Sequence, residues 1–221
     1  MMLSFGSGGL RPRRVALIGA GVAASIVVGL SVSPTLAGFT ASIANSGDSA
    51  GLGALSMQET NTAASVTCNS TDGGSISTNS STCSTLNLFG GSTSMAPGQT
   101  ATTTVTIKNT GSLPANTFSL APGACTQSNN GTANGTATDL CTKATLAVTA
   151  TSGTTTSPIY SGTLSNFNSV ISQTSAPTPS ALTVPAGSSV SFTFALTMPS
   201  TLGNTYSGLQ VSQPITWTFN S

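Results

Sequence analysis

The stretch SVSFTFALTM, residues 189–198, decides the fold: Val190, Phe192, Phe194, Leu196 and Met198 fall on one side of an extended chain, and Ser191, Thr193 and Thr197 on the other. A strand sends successive side chains to opposite faces, so this segment lays one face on an apolar core and turns the other to water. TTTVTIKN repeats the pattern with Val105 and Ile107 inward, and ITWTF repeats it with Ile215, Trp217 and Phe219. TLNLF (Leu86, Leu88), NTFSL (Phe118, Leu120) and ATLAVTA (Leu146, Val148) extend the series. No segment after residue 38 has the apolar period of a long amphipathic helix. Two Pro/Gly turns, MAPGQT and VPAGSS, each lead into a strong strand. Proline fixes φ and glycine accepts a positive φ, so such turns form with little outside help. Short strands punctuated this way predict an all-β, antiparallel β-sandwich. One domain over residues 51–221 is expected, because either half alone is too small to cover both faces of its own sheets.

The composition agrees. The chain has 221 residues and is 38% hydrophobic but only 4% charged, against about 25% charged in an ordinary soluble protein. Ser, Thr, Asn and Gly take the place of charge, and these residues suit turns and the outer faces of strands. Three of the five basic residues, Arg11, Arg13 and Arg14, precede the apolar run VALIGAGVAASIVVGLSV. SPTLA then supplies Pro34 and the small residues Thr35 and Ala37, the pattern of a signal peptidase site. Residues 1–37 read as a signal peptide cleaved between Ala37 and Gly38, with either general or twin-arginine export. The run falls short of the ~20 strongly apolar residues of a membrane span. Its retention as an uncleaved anchor is the alternative, and the only membrane contact the sequence suggests. Beyond it stand Lys108 and Lys143 against Asp48, Glu59, Asp72 and Asp139, a net charge of −2. Such a chain offers no basic patch to nucleic acid.

Four cysteines, Cys68, Cys83, Cys125 and Cys141, fit an oxidising compartment. Three pairings exist for four cysteines. Local pairing, Cys68 with Cys83 and Cys125 with Cys141, is favoured because each bridge closes a loop too polar to fold on itself. A chain-entropy argument gives each closure about 3 kcal/mol.

Catalytic chemistry has little to work with. The chain contains no histidine, which removes Ser-His-Asp, Cys-His and HExxH arrangements. The four acids lie in polar, turn-like surroundings and read as solvated surface groups, and no catalytic residue, cofactor or metal is expected. Lys108 beside Asn109 suggests an intramolecular isopeptide bond, but Lys108 falls on the outward face of its strand. Asn69, Asn79, Asn130 and Asn134 begin N-x-S/T sequons and mark loops. Trp217 reads as a core residue.

Four segments in order, LAGFTASIANSG, GLGALSM, PGQTATTTVTIKNTGSLPA and GNTYSGLQVSQPITWTF, resemble the camelysin/TasA family of exported biofilm-fibre proteins. The likeness runs from about residue 36 to the C-terminus, with the two cysteine loops (68–83, 125–141) as inserts. FTASIAN lacks the Asp of the family's AFFSD segment, and Ser207 stands where the family favours Gln. The resemblance implies a secreted, jelly-roll-like sandwich that polymerises by donor-strand complementation. Residues 38–50 are then the donor strand and its linker, with Phe39, Ala41 and Ile43 as the side chains that set register. The implied partner is a second copy of the chain, with an accessory anchor or matrix protein in addition. A monomeric adhesin-like or carbohydrate-binding module at the cell surface is the alternative.

Overall fold

The computed structural model describes residues 42–43, 47–61, 63–168, 171–172 and 183–221. The chain separates into two units, residues 1–50 and 51–221. In the first, residues 42–43 and 47–50 carry no regular structure, and Ile43 is 92% exposed.

The second unit is built from antiparallel strands: β1 (Met57–Asn61), β2 (Val66–Asn69), β3 (Thr100–Asn109), β4 (Thr117–Pro122), β5 (Thr126–Asn129), β6 (Thr145–Ser152), β7 (Thr155–Thr163), β8 (Ile171–Ser172), β9 (Ser189–Thr197), β10 (Leu209–Ser212) and β11 (Ile215–Asn220). Among its described residues one α-helical turn, α1, spans Leu140–Lys143. Six strands form a sheet in the order β2-β1-β3-β9-β6-β7, three form a sheet in the order β11-β4-β8, and β10 pairs with β5. The all-β expectation holds, and two sheets face each other across one core.

β9 lies at the centre of the wide sheet, as its alternation demands. Val190, Phe192, Phe194 and Leu196 are all buried, and they meet Val105 and Ile107 of β3 and Leu146 and Val148 of β6. Phe118 and Leu120 of β4 close the core from the other sheet, with the Phe118 and Phe192 rings 5.5 Å apart, edge to face. The water-facing side explains the missing charge. One rank of hydroxyls, Thr67, Thr60, Thr106, Ser191, Thr151 and Thr156, crosses all six strands in register. Neighbours in such ranks bond to each other: Thr106 with Ser191 at 3.0 Å, Thr104 with Thr193 at 3.0 Å, Thr151 with Thr156 at 2.9 Å. Paired hydroxyls do here what Lys and Glu do on an ordinary sheet.

Both expected turns form. In Ala96–Gln99 the Gln99 N–H donates to Ala96 O, with Gly98 at φ +85°. In Pro185–Ser188 the Ser188 N–H donates to Pro185 O, with Gly187 at φ +78°. A side chain at either glycine would have to adopt the left-handed region at a cost. TLNLF departs from expectation and is not a strand. Asn87 Oδ1 accepts from the Phe89 N–H and Asn87 O from the Gly90 N–H, so a side-chain turn competes with extension and wins. Asn109 is fully buried: its Nδ2 donates to Leu113 O and Val184 O, and its Oδ1 accepts from the Gly111 N–H. Every polar atom of its amide is thereby partnered, and the turn after β3 is fixed.

Candidate functional site

The two sheets differ in width, and the difference creates the site. Trp217 on β11 packs 4.7 Å from Phe192 and 6.2 Å from Phe194, which sets β11 over the middle of the wide sheet. Beyond β11, the inward face of β1 and β2 continues with Met57, Glu59 and Cys68. Among the described residues no strand lies across that face, and β11 pairs only with β4. The space is a groove of about 1130 Å³. Ile215, Trp217 and Phe219 line one wall, and Leu86, Leu88 and Phe89 line another. All six are only partly buried, although they belong to residue types that a sandwich normally seals. A half-covered apolar row beside an unpaired strand edge is the profile of a sheet that lacks one strand.

Both edges of the wide sheet are protected against pairing. β7 carries Pro158, and its register with β6 shifts between Val148 and Thr149. Proline removes a donor and a bulge twists the edge, two standard devices against edge-to-edge association. β2 is four residues long and strapped by the Cys68–Cys83 bridge. β11 has six residues, a regular register and neither device. Its free edge is therefore less guarded against pairing than either edge of the wide sheet.

The disulfides, Cys68–Cys83 and Cys125–Cys141, with Cα atoms 5.8 and 6.0 Å apart, brace the flanks. The first ties β2 to the segment that carries Leu86, Leu88 and Phe89. Asn79 reinforces that tie, accepting from Ser70 Oγ through Oδ1 and donating through Nδ2 to Leu55 O. The second bridge joins the entry of β5 to α1, where Gln127 donates to Ala137 O and accepts from the Leu140 N–H. The four sequon asparagines serve such loops: Asn69, Asn130 and Asn134 also donate through Nδ2, to Asp72, Thr93 O and Gly131 O.

Glu59 and Trp217 change roles relative to the sequence reading. Trp217 is the rim of the core, and its Nε1 donates to Glu59 Oε1 at 2.9 Å across the groove. Glu59 is a partly buried groove residue. Its burial pushes the carboxyl above its ordinary 4.5, and the Trp217 hydrogen bond offsets part of that rise. The cause of the missed assignment is local: MQETN places Met57, Glu59 and Asn61 on the inner face, and two polar residues there hide the strand. Asp139 remains a surface group, held below its ordinary 3.8 chiefly by the Tyr206 hydroxyl, which donates to Oδ1 at 2.8 Å, and further by Lys143 at 3.6 Å. Asp72 accepts from the backbone and side chain of Asn69. Lys108 is exposed, as its register predicts. Among the described residues, no three His, Cys, Asp or Glu side chains cluster closely enough to share a metal ion.

The Glu59 shift has a sign that stability can read. A carboxyl whose folded pKa is raised binds protons more tightly in the native state than in the unfolded chain. Stability should therefore rise as pH falls from neutral through the raised value, and this gain should level off near 4.5. Asp139 works in the opposite direction below 3.8, where protonation gives up the charge that Tyr206 and Lys143 favour. Urea midpoints measured from pH 8 to pH 4.5 are expected to increase, and Glu59→Gln should remove most of that increase.

Of the residues singled out in the sequence, Ala37, Gly38, Phe39 and Ala41 lie outside the described residues, and Ile43 belongs to no strand. No protein-family model and no curated protein matches this chain.

Proposed function

We propose that the chain is a secreted structural subunit of an extracellular fibre or biofilm matrix, without enzymatic activity, exported by cleavage between Ala37 and Gly38. The freed segment Gly38–Asn45 of one subunit adds to the β11 edge of the next and completes a jelly-roll-like sandwich. The observation that carries this reading is the groove beside β11, with a half-covered apolar row along its walls and the unprotected free edge of β11 beside it. Strand addition supplies main-chain hydrogen bonds, and alternate side chains fill pockets. The segment alternates Phe39, Ala41 and Ile43 and has no charged side chain. Its eight residues extend to about 26 Å, enough to cover the six residues of β11, about 20 Å. Burying Phe39 and Ile43 contributes roughly 2 kcal/mol apiece.

Head-to-tail contacts of this kind do not close, so they propagate as filaments. The two disulfides suit an oxidising, extracellular setting, and no described helix is long and apolar enough to cross a membrane. The resemblance to the camelysin/TasA family points the same way, and leaves room for an accessory anchor. Electron microscopy of the purified mature protein is expected to show filaments. An excess of a capped peptide of residues 38–47 should stop their growth by filling the grooves. Monomers at every concentration would refute the reading and favour the surface binding module.

A further inference from the structure

The floor of the groove holds one group that an apolar strand would not welcome in its charged form. Glu59 stands on the inner face of β1, between Cys68 of β2 and Ile107 of β3, and reaches across to Trp217 of β11. None of these neighbours offers it a cation. Cys68 is locked in a disulfide, and Ile107 and Trp217 do not titrate. Lys108 is one residue further along β3 and therefore on the opposite face, while Lys143 pairs with Asp139. β9 and β11 contain no charged residue, and neither does the segment 79–95 that forms the far wall. Tyr206, the other titratable group on the lining, donates to Asp139, and Asp72 is engaged by Asn69. Among the described residues the Trp217 indole is thus the one side-chain partner of the Glu59 carboxylate, whose remaining face is open to water through the groove.

A strand seated beside β11 would take that water away. Charge cut off from water without a cation beside it is far more costly than the neutral acid. We propose that strand docking is coupled to uptake of one proton by Glu59, so that the groove closes on its donor strand in acid and releases it as pH rises. This proposal rests on the donor-strand reading above and adds its regulation. The proton goes from solvent to the carboxylate. The carbonyl oxygen of the neutral acid still accepts from Trp217 Nε1, and its new O–H can donate to a main-chain carbonyl of the seated strand. The present elevation of the Glu59 pKa, caused by burial in the open groove, agrees in direction. Linkage fixes the form of the effect. Docking tightens as pH falls through the values of the open and occupied grooves, by about tenfold for each unit by which occupation raises the pKa.

The donor segment makes the test clean, because GFTASIANSG, residues 38–47, has no ionisable side chain. With capped ends the peptide cannot titrate, so any pH dependence belongs to the protein. Trp217 is the sole tryptophan of the chain and contacts Glu59, so its emission reports occupation directly. The binding partner is the full mature chain carrying Phe39→Asn and Ile43→Asn, which keeps its groove open. The peptide Kd is expected to fall at least about tenfold between pH 8 and pH 5. Glu59→Gln, which retains an acceptor for Trp217, should bind tightly at every pH with a flat profile. Calorimetry in buffers of different ionisation enthalpy should find about half a proton or more taken up per peptide near the middle of the transition, and none in Glu59→Gln. A flat profile with residue 59 intact, or the same profile in Glu59→Gln, overturns the coupling while leaving strand docking in place. Absence of peptide binding at every pH overturns strand docking itself, and the coupling with it.

Discussion

Deleting residues 38–45 from the mature chain is expected to abolish filaments while leaving the 51–221 unit folded with both disulfides intact. The reason is a division of labour along the chain. The described strands that bury the core all lie after Gly51, so the sandwich is expected to stay folded without the donor segment. Assembly as proposed depends on that segment entirely, because β11 has no other partner for its free edge among the described residues. The loss should be all or none by sedimentation, with the apparent size falling to a monomer. Far-ultraviolet dichroism and the urea midpoint should change little. Phe39→Asn with Ile43→Asn should have the same effect with no change in length, since each substitution puts a polar group where the groove offers apolar walls. Filaments that persist after the deletion would defeat the donor-strand account.

Phe192→Ala is expected to be the most damaging single substitution in the core. The ring is 2% exposed and contacts both Phe118, at 5.5 Å, and Trp217, at 4.7 Å. It therefore joins the wide sheet to the narrow one and supports the wall of the groove at the same time. Truncating a buried phenylalanine costs about 3–5 kcal/mol through lost transfer energy and the cavity left behind. That is a large share of the ~5–15 kcal/mol by which a domain is usually stable. Urea unfolding followed by Trp217 emission would measure it. Because Trp217 would lean toward the vacated space, the variant should also bind the donor peptide more weakly, whereas Leu146→Ala, on the far side of β9, should lose stability with less effect on binding. Equal losses of binding for the two variants would mean that Phe192 does not support the groove.

Alternation made the fold legible where the inner face is uniformly apolar. β9, β3, β4, β6 and β11 all follow their patterns, and Gly98 and Gly187 enter their turns with the positive φ that the Pro/Gly pairs imply. The pattern failed where the inner face is mixed. β1 carries Glu59 and Asn61 inward, β2 alternates Val66 with Cys68, and β5 and β10 are four-residue strands with polar partners. In these segments the partner strand, not the local sequence, supplies the reason to be extended. TLNLF failed in the opposite sense, because Asn87 and the two glycines after it offer the chain a turn.

The groove was out of reach for a related reason. Ile215, Trp217 and Phe219 announce a core-facing strand, but nothing in ITWTF says that one of its edges stays open or that its neighbours run out before the opposite sheet does. Strand order is a property of the whole chain. Glu59 belongs to the same class. Its meaning comes from Trp217, 158 residues away, and from the absence of any cation on the inner faces of the surrounding strands.

The most direct test is the structure of the filament formed by the mature protein. The account predicts that Gly38–Asn45 of each subunit runs antiparallel or parallel along β11 of the next, hydrogen-bonded to its free edge, with Phe39 and Ile43 in the groove. Filaments whose β11 edge is empty, or is occupied by the same chain's own segment, would contradict it.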